Sequence, residues 1–98
     1  MPIACVEVDG SYIKVYDVNS NKVDSMSSSG VELLAYCSEF FVTEEGSYIK
    51  TYDKNCRKIG SMSSSSVTVV GAAGHSFVTK EGSYTKTYDK DCRKISQR

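Results

Sequence analysis

The chain has 98 residues, a mass of 10.8 kDa and a formal net charge of zero, with 12 Lys and Arg against 12 Asp and Glu. This length predicts a single domain, and 40% hydrophobic with 24% charged residues is a globular composition. The balanced charge argues against nucleic acid or an acidic membrane as a partner, and no apolar run approaches the roughly 20 residues of a membrane span. The first residues also lack the pattern of a secretory signal, so we expect a cytoplasmic protein.

In chain order, the sequence repeats itself every 36 residues. The segment 10–14 (GSYIK) returns as 46–50 and, with one change, as 82–86. Residues 41–61 match residues 77–97 at 16 of 21 positions. We therefore treat residues 1–98 as one repeat domain. Its units are 4–30, 31–65 and 66–98.

Each complete unit is expected to contain four short strands, which are described here for the second unit. Residues 31–36 (VELLAY) are apolar and rich in branched side chains, which is typical of a strand buried on both faces. Residues 40–44 form the next strand, and Gly46 permits the positive φ of a tight hairpin turn. Residues 47–53 alternate between two faces, and residues 57–62 form the fourth strand after a short polar turn.

The third unit repeats this pattern with residues 67–72 as its first strand. In the first unit that strand would need residues before Met1, so we expect eleven strands where three complete units would have twelve. Helical periodicity is absent, and the turns recur every eight to ten residues. The sequence therefore predicts an all-β fold of about three four-stranded antiparallel units.

The repeat resembles short β-propeller blades. Its signature is an apolar strand, then Phe-Val-Thr-x-Glu-Gly-Ser-Tyr, then Lys-Thr-Tyr-Asp, a turn and Lys-Ile. The Tyr-Asp pairs at 16–17, 52–53 and 88–89 stand where WD-repeat proteins carry Trp-Asp. A Gly-His pair occurs once, at 74–75, and is not repeated in the other units as it is in WD repeats, so the resemblance is to propeller-like blades and not to that family. It implies a partial β-propeller with blades arranged around a channel.

Two other architectures with pseudo-threefold symmetry also fit four-stranded units. A β-prism, as in the monocot mannose-binding lectins, has a similar rhythm. Of the lectin motif Gln-x-Asp-x-Asn-x-Val-x-Tyr, however, only the last residue is present when it is aligned on Tyr52. A β-trefoil is the third alternative, and it usually needs longer repeats.

An open arc of three blades would leave two apolar blade faces bare, which monomers avoid. Two copies would make a six-bladed ring. Residues 1–49 carry eight acidic and two basic side chains, for a net charge of −6, and residues 50–98 carry four acidic and ten basic ones, for +6. This complementarity predicts a head-to-tail homodimer.

The best candidates for a ligand-binding surface are aromatic and basic side chains that recur on one face of the third strand of each unit. They are Tyr12, Tyr48, Tyr84, Lys14, Lys50 and Lys86. A tyrosine can stack on a sugar or base through its apolar ring while its hydroxyl forms hydrogen bonds. The alternative is that these tyrosines pack between neighbouring blades while the lysine stems extend to solvent.

No catalytic residue, metal site or cofactor is predicted. Cys5, Cys37, Cys56 and Cys92 lie too far apart in sequence for a zinc motif, and we expect free thiols. His75, the only histidine, has Glu39 at its equivalent position and forms no recognisable triad. The sequence thus predicts a non-enzymatic binding or scaffold module with a protein or carbohydrate ligand. The alternative is a carbohydrate-binding lectin that uses the repeated tyrosines.

Overall fold

The computed structural model describes residues 3–98, which form eleven β-strands and no helix. The strands are β1 (Cys5–Asp9), β2 (Tyr12–Tyr16), β3 (Lys22–Ser27), β4 (Glu32–Tyr36), β5 (Phe41–Glu45), β6 (Tyr48–Tyr52), β7 (Lys58–Ser63), β8 (Thr68–Ala73), β9 (Ser76–Glu81), β10 (Tyr84–Asp89) and β11 (Lys94–Gln97). They form a first sheet of β1–β3, a second of β4–β7 and a third of β8–β11, all antiparallel with neighbours in chain order. The all-β prediction with repeated antiparallel sheets is confirmed. The described residues also offer no helix with the length and apolarity to cross a membrane.

Two kinds of turn recur in every sheet and fix the strand register. The hairpins between the second and third strands of a unit contain Gly10, Gly46 and Gly82, with φ of 60°, 62° and 62°. An L-residue with a side chain rarely adopts this φ, so glycine is favoured there. The turns that begin with Asp17, Asp53 and Asp89 are closed differently. In each, the Asp carboxylate accepts hydrogen bonds from the backbone N–H groups two and four residues later.

The sheets pack face to face, and the core lies between them. Between the first and second sheets, Ile13 and Val15 pack against Phe41 and Tyr52. Between the second and third sheets, residues 36 positions later make the equivalent contact. There the buried Ile49 packs against Phe77 and Tyr88. In both contacts the Phe ring stacks on the Tyr ring of its own sheet, with centroids 5.4 Å and 5.5 Å apart.

A hydrogen bond also helps to orient the second sheet on the third. Thr51 is fully buried, and its hydroxyl donates a hydrogen bond to the backbone carbonyl of Lys90 in the turn of the third sheet. Gly60 lies beside the same turn. A Cβ atom at position 60 would come within 2.8 Å of the backbone of Asp91.

The first strand of each four-stranded sheet, β4 or β8, is called its innermost strand here. The burial of β4 differs from expectation. Residues 31–36 were expected to be buried on both faces, but Leu33 and Leu34 of β4 are half-buried and Tyr36 is exposed. The side of β4 that carries Leu33 faces the first sheet, which has three strands and no strand equivalent to β4. In contrast, β8 of the third sheet does run beside β4.

Gly60→Ala is expected to lower the free energy of unfolding by about 1–3 kcal/mol, because the added methyl group must displace backbone and not a mobile side chain. Gly71→Ala is the matched control, since an added Cβ there meets no atom within 4 Å. Urea unfolding followed by circular dichroism measures both. Equal effects of the two substitutions would contradict the close packing of β7 on the turn of the third sheet.

Candidate functional site

The three repeated tyrosines lie at one edge of the molecule. Tyr12, Tyr48 and Tyr84 each begin the strand after a Gly-Ser hairpin turn, and their exposed fractions are 53%, 54% and 51%. Because the three turns are equivalent positions of stacked sheets, we expect the three rings to form a row. We call these residues the tyrosine row. Their exposure leaves each ring available for a ligand.

The three repeated lysines are held in ion pairs on the same strands. Nζ of Lys14 lies 2.8 Å from a carboxylate oxygen of Asp9. The equivalent distances are 3.4 Å from Lys50 to Glu45 and 3.1 Å from Lys86 to Glu81. Each lysine side chain is only 22–27% exposed. The structure therefore separates the two halves of the predicted surface, with exposed rings at the edge and paired cations further along each strand.

The carboxylates of these ion pairs are residues that the sequence analysis did not select. Glu81 accepts hydrogen bonds from the hydroxyls of Thr79 at 2.9 Å and Tyr88 at 2.7 Å, in addition to Lys86. Glu45 is bound in the same way by the equivalent residues of the second sheet. The signal was available, since an acidic residue precedes the hairpin glycine in all three units.

Burial and hydrogen bonding act in opposite directions on these carboxylates. Burial alone would raise the pKa of Glu81, but hydrogen bonds from Tyr88, Lys86 and Thr79 outweigh it and lower the pKa. The pKa of Glu45 is lowered for the same reasons. Burial and the bond to Glu81 raise the pKa of Tyr88 to about 12. Each network therefore holds an ionised carboxylate against a neutral phenol.

The outer faces of the first and third sheets carry the positions that are buried between sheets elsewhere. The front face is the side of the first sheet that is turned away from the second. It comprises Cys5, Glu7, Asp9, Tyr12, Lys14 and Tyr16. The back face is the opposite outer side, on the third sheet. It comprises Val70, Val78, Lys80, Thr85, Thr87, Ile95 and Arg98.

Exposure along the repeat shows that neither outer face is covered by a sheet of the same chain. Ile13 and Ile49 are buried between sheets, whereas Thr85, the third member of that series, is exposed. Val70 and Ile95 on the back face are 65% and 59% exposed. Each outer side also has a shallow recess, of about 450 Å³ beside Cys5 and about 400 Å³ beside Val70.

Cys37, Cys56 and Cys92 lie within the packing between sheets, whereas Cys5 is on the front face. All four cysteines are free. Burial raises the pKa of the Cys56 thiol to about 11 and also raises that of Cys92, so both are protonated at neutral pH. Nδ1 of His75 contacts the Glu39 carboxylate, which joins equivalent turns of the second and third sheets.

Residues 3–98 contain no group of three or more His, Cys, Asp or Glu side chains placed to hold a metal ion. No family model, curated protein or solved structure matches this chain.

Replacing Glu45 and Glu81 together by Gln is expected to flatten the loss of stability in acid. Because both pKa values are lowered in the folded state, the carboxylates stabilise the wild type fully above the ordinary pKa near 4.5. That contribution is lost as the pH falls through the lowered values, and the Gln variant never has it. Urea midpoints between roughly pH 3 and pH 7 measure the difference. Glu32→Gln, which changes an exposed carboxylate, is the control, and equal pH slopes in both variants would contradict the assignment.

Proposed function

We propose that this protein is a non-enzymatic binding or scaffold module that assembles head-to-tail into a six-bladed, propeller-like ring of two copies. The observation that carries the proposal is that the front and back faces are opposite halves of the contact that already joins the sheets within one chain. A heterologous contact of this kind closes into a ring when the rotation between units permits.

The hydrogen bond between Thr51 and Lys90 illustrates this complementarity. In the repeat, Thr87 on the back face is equivalent to Thr51, and Val18 is equivalent to Lys90. Residues 17–21 close the same kind of turn as residues 89–93, with Ser20 at φ 64° where Cys92 has φ 62°. The back face of one copy therefore offers a threonine hydroxyl, and the front face of the next offers the matching turn carbonyl.

Charge and apolar exposure support the same pairing. Lys80 and Arg98 place two cations on the back face, while Glu7 and Asp9 place two carboxylates on the front face beside Lys14. The exposed apolar side chains of the back face would be covered by the partner copy. Removal of apolar area from water is the dominant favourable term in association, and the charges add orientation.

The wild type is expected to have about twice the 10.8 kDa chain mass in light scattering at moderate salt. Lys80→Glu with Arg98→Glu should raise the dissociation constant roughly tenfold at low salt, because each exposed pair contributes only about 0–1 kcal/mol. The effect should shrink as salt is added.

Arg57→Glu with Lys58→Glu is the matched control, since it makes the same charge change in the middle sheet, away from both outer faces. Adding Glu7→Lys to the back-face variant should restore part of the affinity while leaving the Asp9–Lys14 ion pair in place. A monomeric wild type, or equal weakening by the control, would contradict the head-to-tail ring.

A second candidate is carbohydrate binding, which the exposure of the tyrosine row favours. Three half-exposed rings at one edge, each beside a Gly-Ser turn, could stack on successive sugar rings. Tyr12 lies at the edge of the front face, but its equivalents Tyr48 and Tyr84 stay exposed beside a neighbouring sheet, so this function is compatible with the assembly.

Substituting Tyr12, Tyr48 and Tyr84 by Ala is expected to abolish any glycan-array signal without changing the solution mass. Tyr36→Ala is the control, because it removes an exposed tyrosine that is not part of the row. Glycan binding that survives the triple substitution, or a wild type without any signal, would remove this second candidate.

A further inference from the structure

The first sheet has an open edge along β1. The second and third sheets each begin with an innermost strand, β4 or β8, that pairs antiparallel with the strand after it. In the repeat, β1 is equivalent to β5 and β9, which lie between two neighbours. Among residues 3–98, β2 is the only strand paired with β1. An edge strand with free backbone groups is a template for a further strand.

The backbone groups of Val6 and Val8 are directed toward this open edge. In the third sheet, Thr85 exchanges both backbone hydrogen bonds with Arg98, so β10 uses the alternate residues Tyr84 and Lys86 to bond β9. The first sheet has the same register around its hairpin. Its hydrogen-bonded pairs with β2 are therefore made by the odd-numbered residues of β1, and the even-numbered ones point outward.

An apolar strip runs beside this edge, and the core between the first and second sheets covers it only in part. Val67, Val69 and Ala72 of the third sheet pack against the second sheet. The equivalent residues of the second sheet, Val31, Leu33 and Tyr36, face the first sheet, which has no innermost strand. Val31 and Leu33 stay half-buried, and Tyr36 is 41% exposed.

We propose that an extended, largely apolar segment of a partner protein pairs antiparallel with β1 and covers this strip. The sister sheets show the chemistry of the occupant, since β4 (ELLAY) and β8 (TVVGAA) fill the equivalent position. Backbone hydrogen bonds to Val6 and Val8 supply affinity, and apolar side chains on Leu33 and Tyr36 supply selectivity. This inference names the partner class of the proposed binding module, and it does not require the ring.

The test adds a synthetic peptide with the sequence of residues 66–73, SVTVVGAA, to the ¹⁵N-labelled full chain. We expect saturable chemical-shift changes and slower amide exchange at Val6 and Val8, with no change along β11, which is the outer edge of the third sheet. A peptide with proline at its two central valines should bind at least tenfold more weakly, because it loses backbone donors.

Val8→Pro and Val8→Ala form a matched pair of protein variants. Both remove the exposed Val8 side chain, but only proline removes the N–H that faces the open edge, and proline is tolerated at such a position. Val8→Ala should bind the peptide within about threefold of the wild type, and Val8→Pro at least tenfold more weakly.

In a third variant, a copy of residues 66–72 is joined ahead of Met1. It should pair with β1 within the same chain, raise the free energy of unfolding and lower peptide affinity at least tenfold.

Absence of peptide binding, binding that leaves β1 amides unprotected, or equal binding by the two Val8 variants would overturn the proposal. Protection of β1 that grows with protein concentration before peptide is added would mean that a second copy occupies the edge, which also overturns it. Light scattering on the same samples reports the ring separately, so a monomer that binds peptide and a dimer that does not are distinguishable outcomes.

Discussion

The contact of one sheet face with the next is the interaction on which the rest of this molecule depends. A meander of three or four strands, each four to six residues long, has an apolar face that must be buried against another layer. Here the Phe41–Tyr52 stack of the second sheet presents an apolar face to the first sheet. The Phe77–Tyr88 stack of the third sheet presents the same face to the second. Full burial of a Phe side chain stabilises a fold by about 1.5–3 kcal/mol, so two such stacks account for much of the cohesion between sheets.

The buried polar groups follow from the same packing. Covering a sheet face brings Thr43, Thr79 and their neighbouring carboxylates out of water, which is unfavourable unless every group is hydrogen-bonded. The Thr–Glu–Tyr–Lys networks meet that requirement, because each carboxylate accepts bonds from three different side chains. They also lock the tyrosine ring against its phenylalanine, so polar satisfaction and apolar stacking reinforce each other.

Much of the fold could be predicted from the repeat, because strand alternation and turn chemistry are local properties. The 36-residue spacing, the hairpin glycines and the capping Asp53 identify the strands to within one or two residues. The candidate site was harder. Alternation places Tyr48, Lys50 and Tyr52 on one face, but their exposure depends on how far the neighbouring sheet extends along the strand. Tyr52 is buried and Tyr48 is exposed although they lie only four residues apart, and no local pattern encodes that difference.

The left-handed backbone at Cys56 and Cys92 has a consequence for which residues these turns accept. At φ near 60° the chain favours glycine or asparagine, yet the side chain at this position also helps to fill the space between sheets. Glycine would leave a hole there, asparagine would bury an amide, and a larger or branched side chain would strain the turn. Cysteine satisfies both demands as a small apolar side chain. At Ser20, where no sheet of the same chain packs against the turn, only the backbone demand acts within one chain.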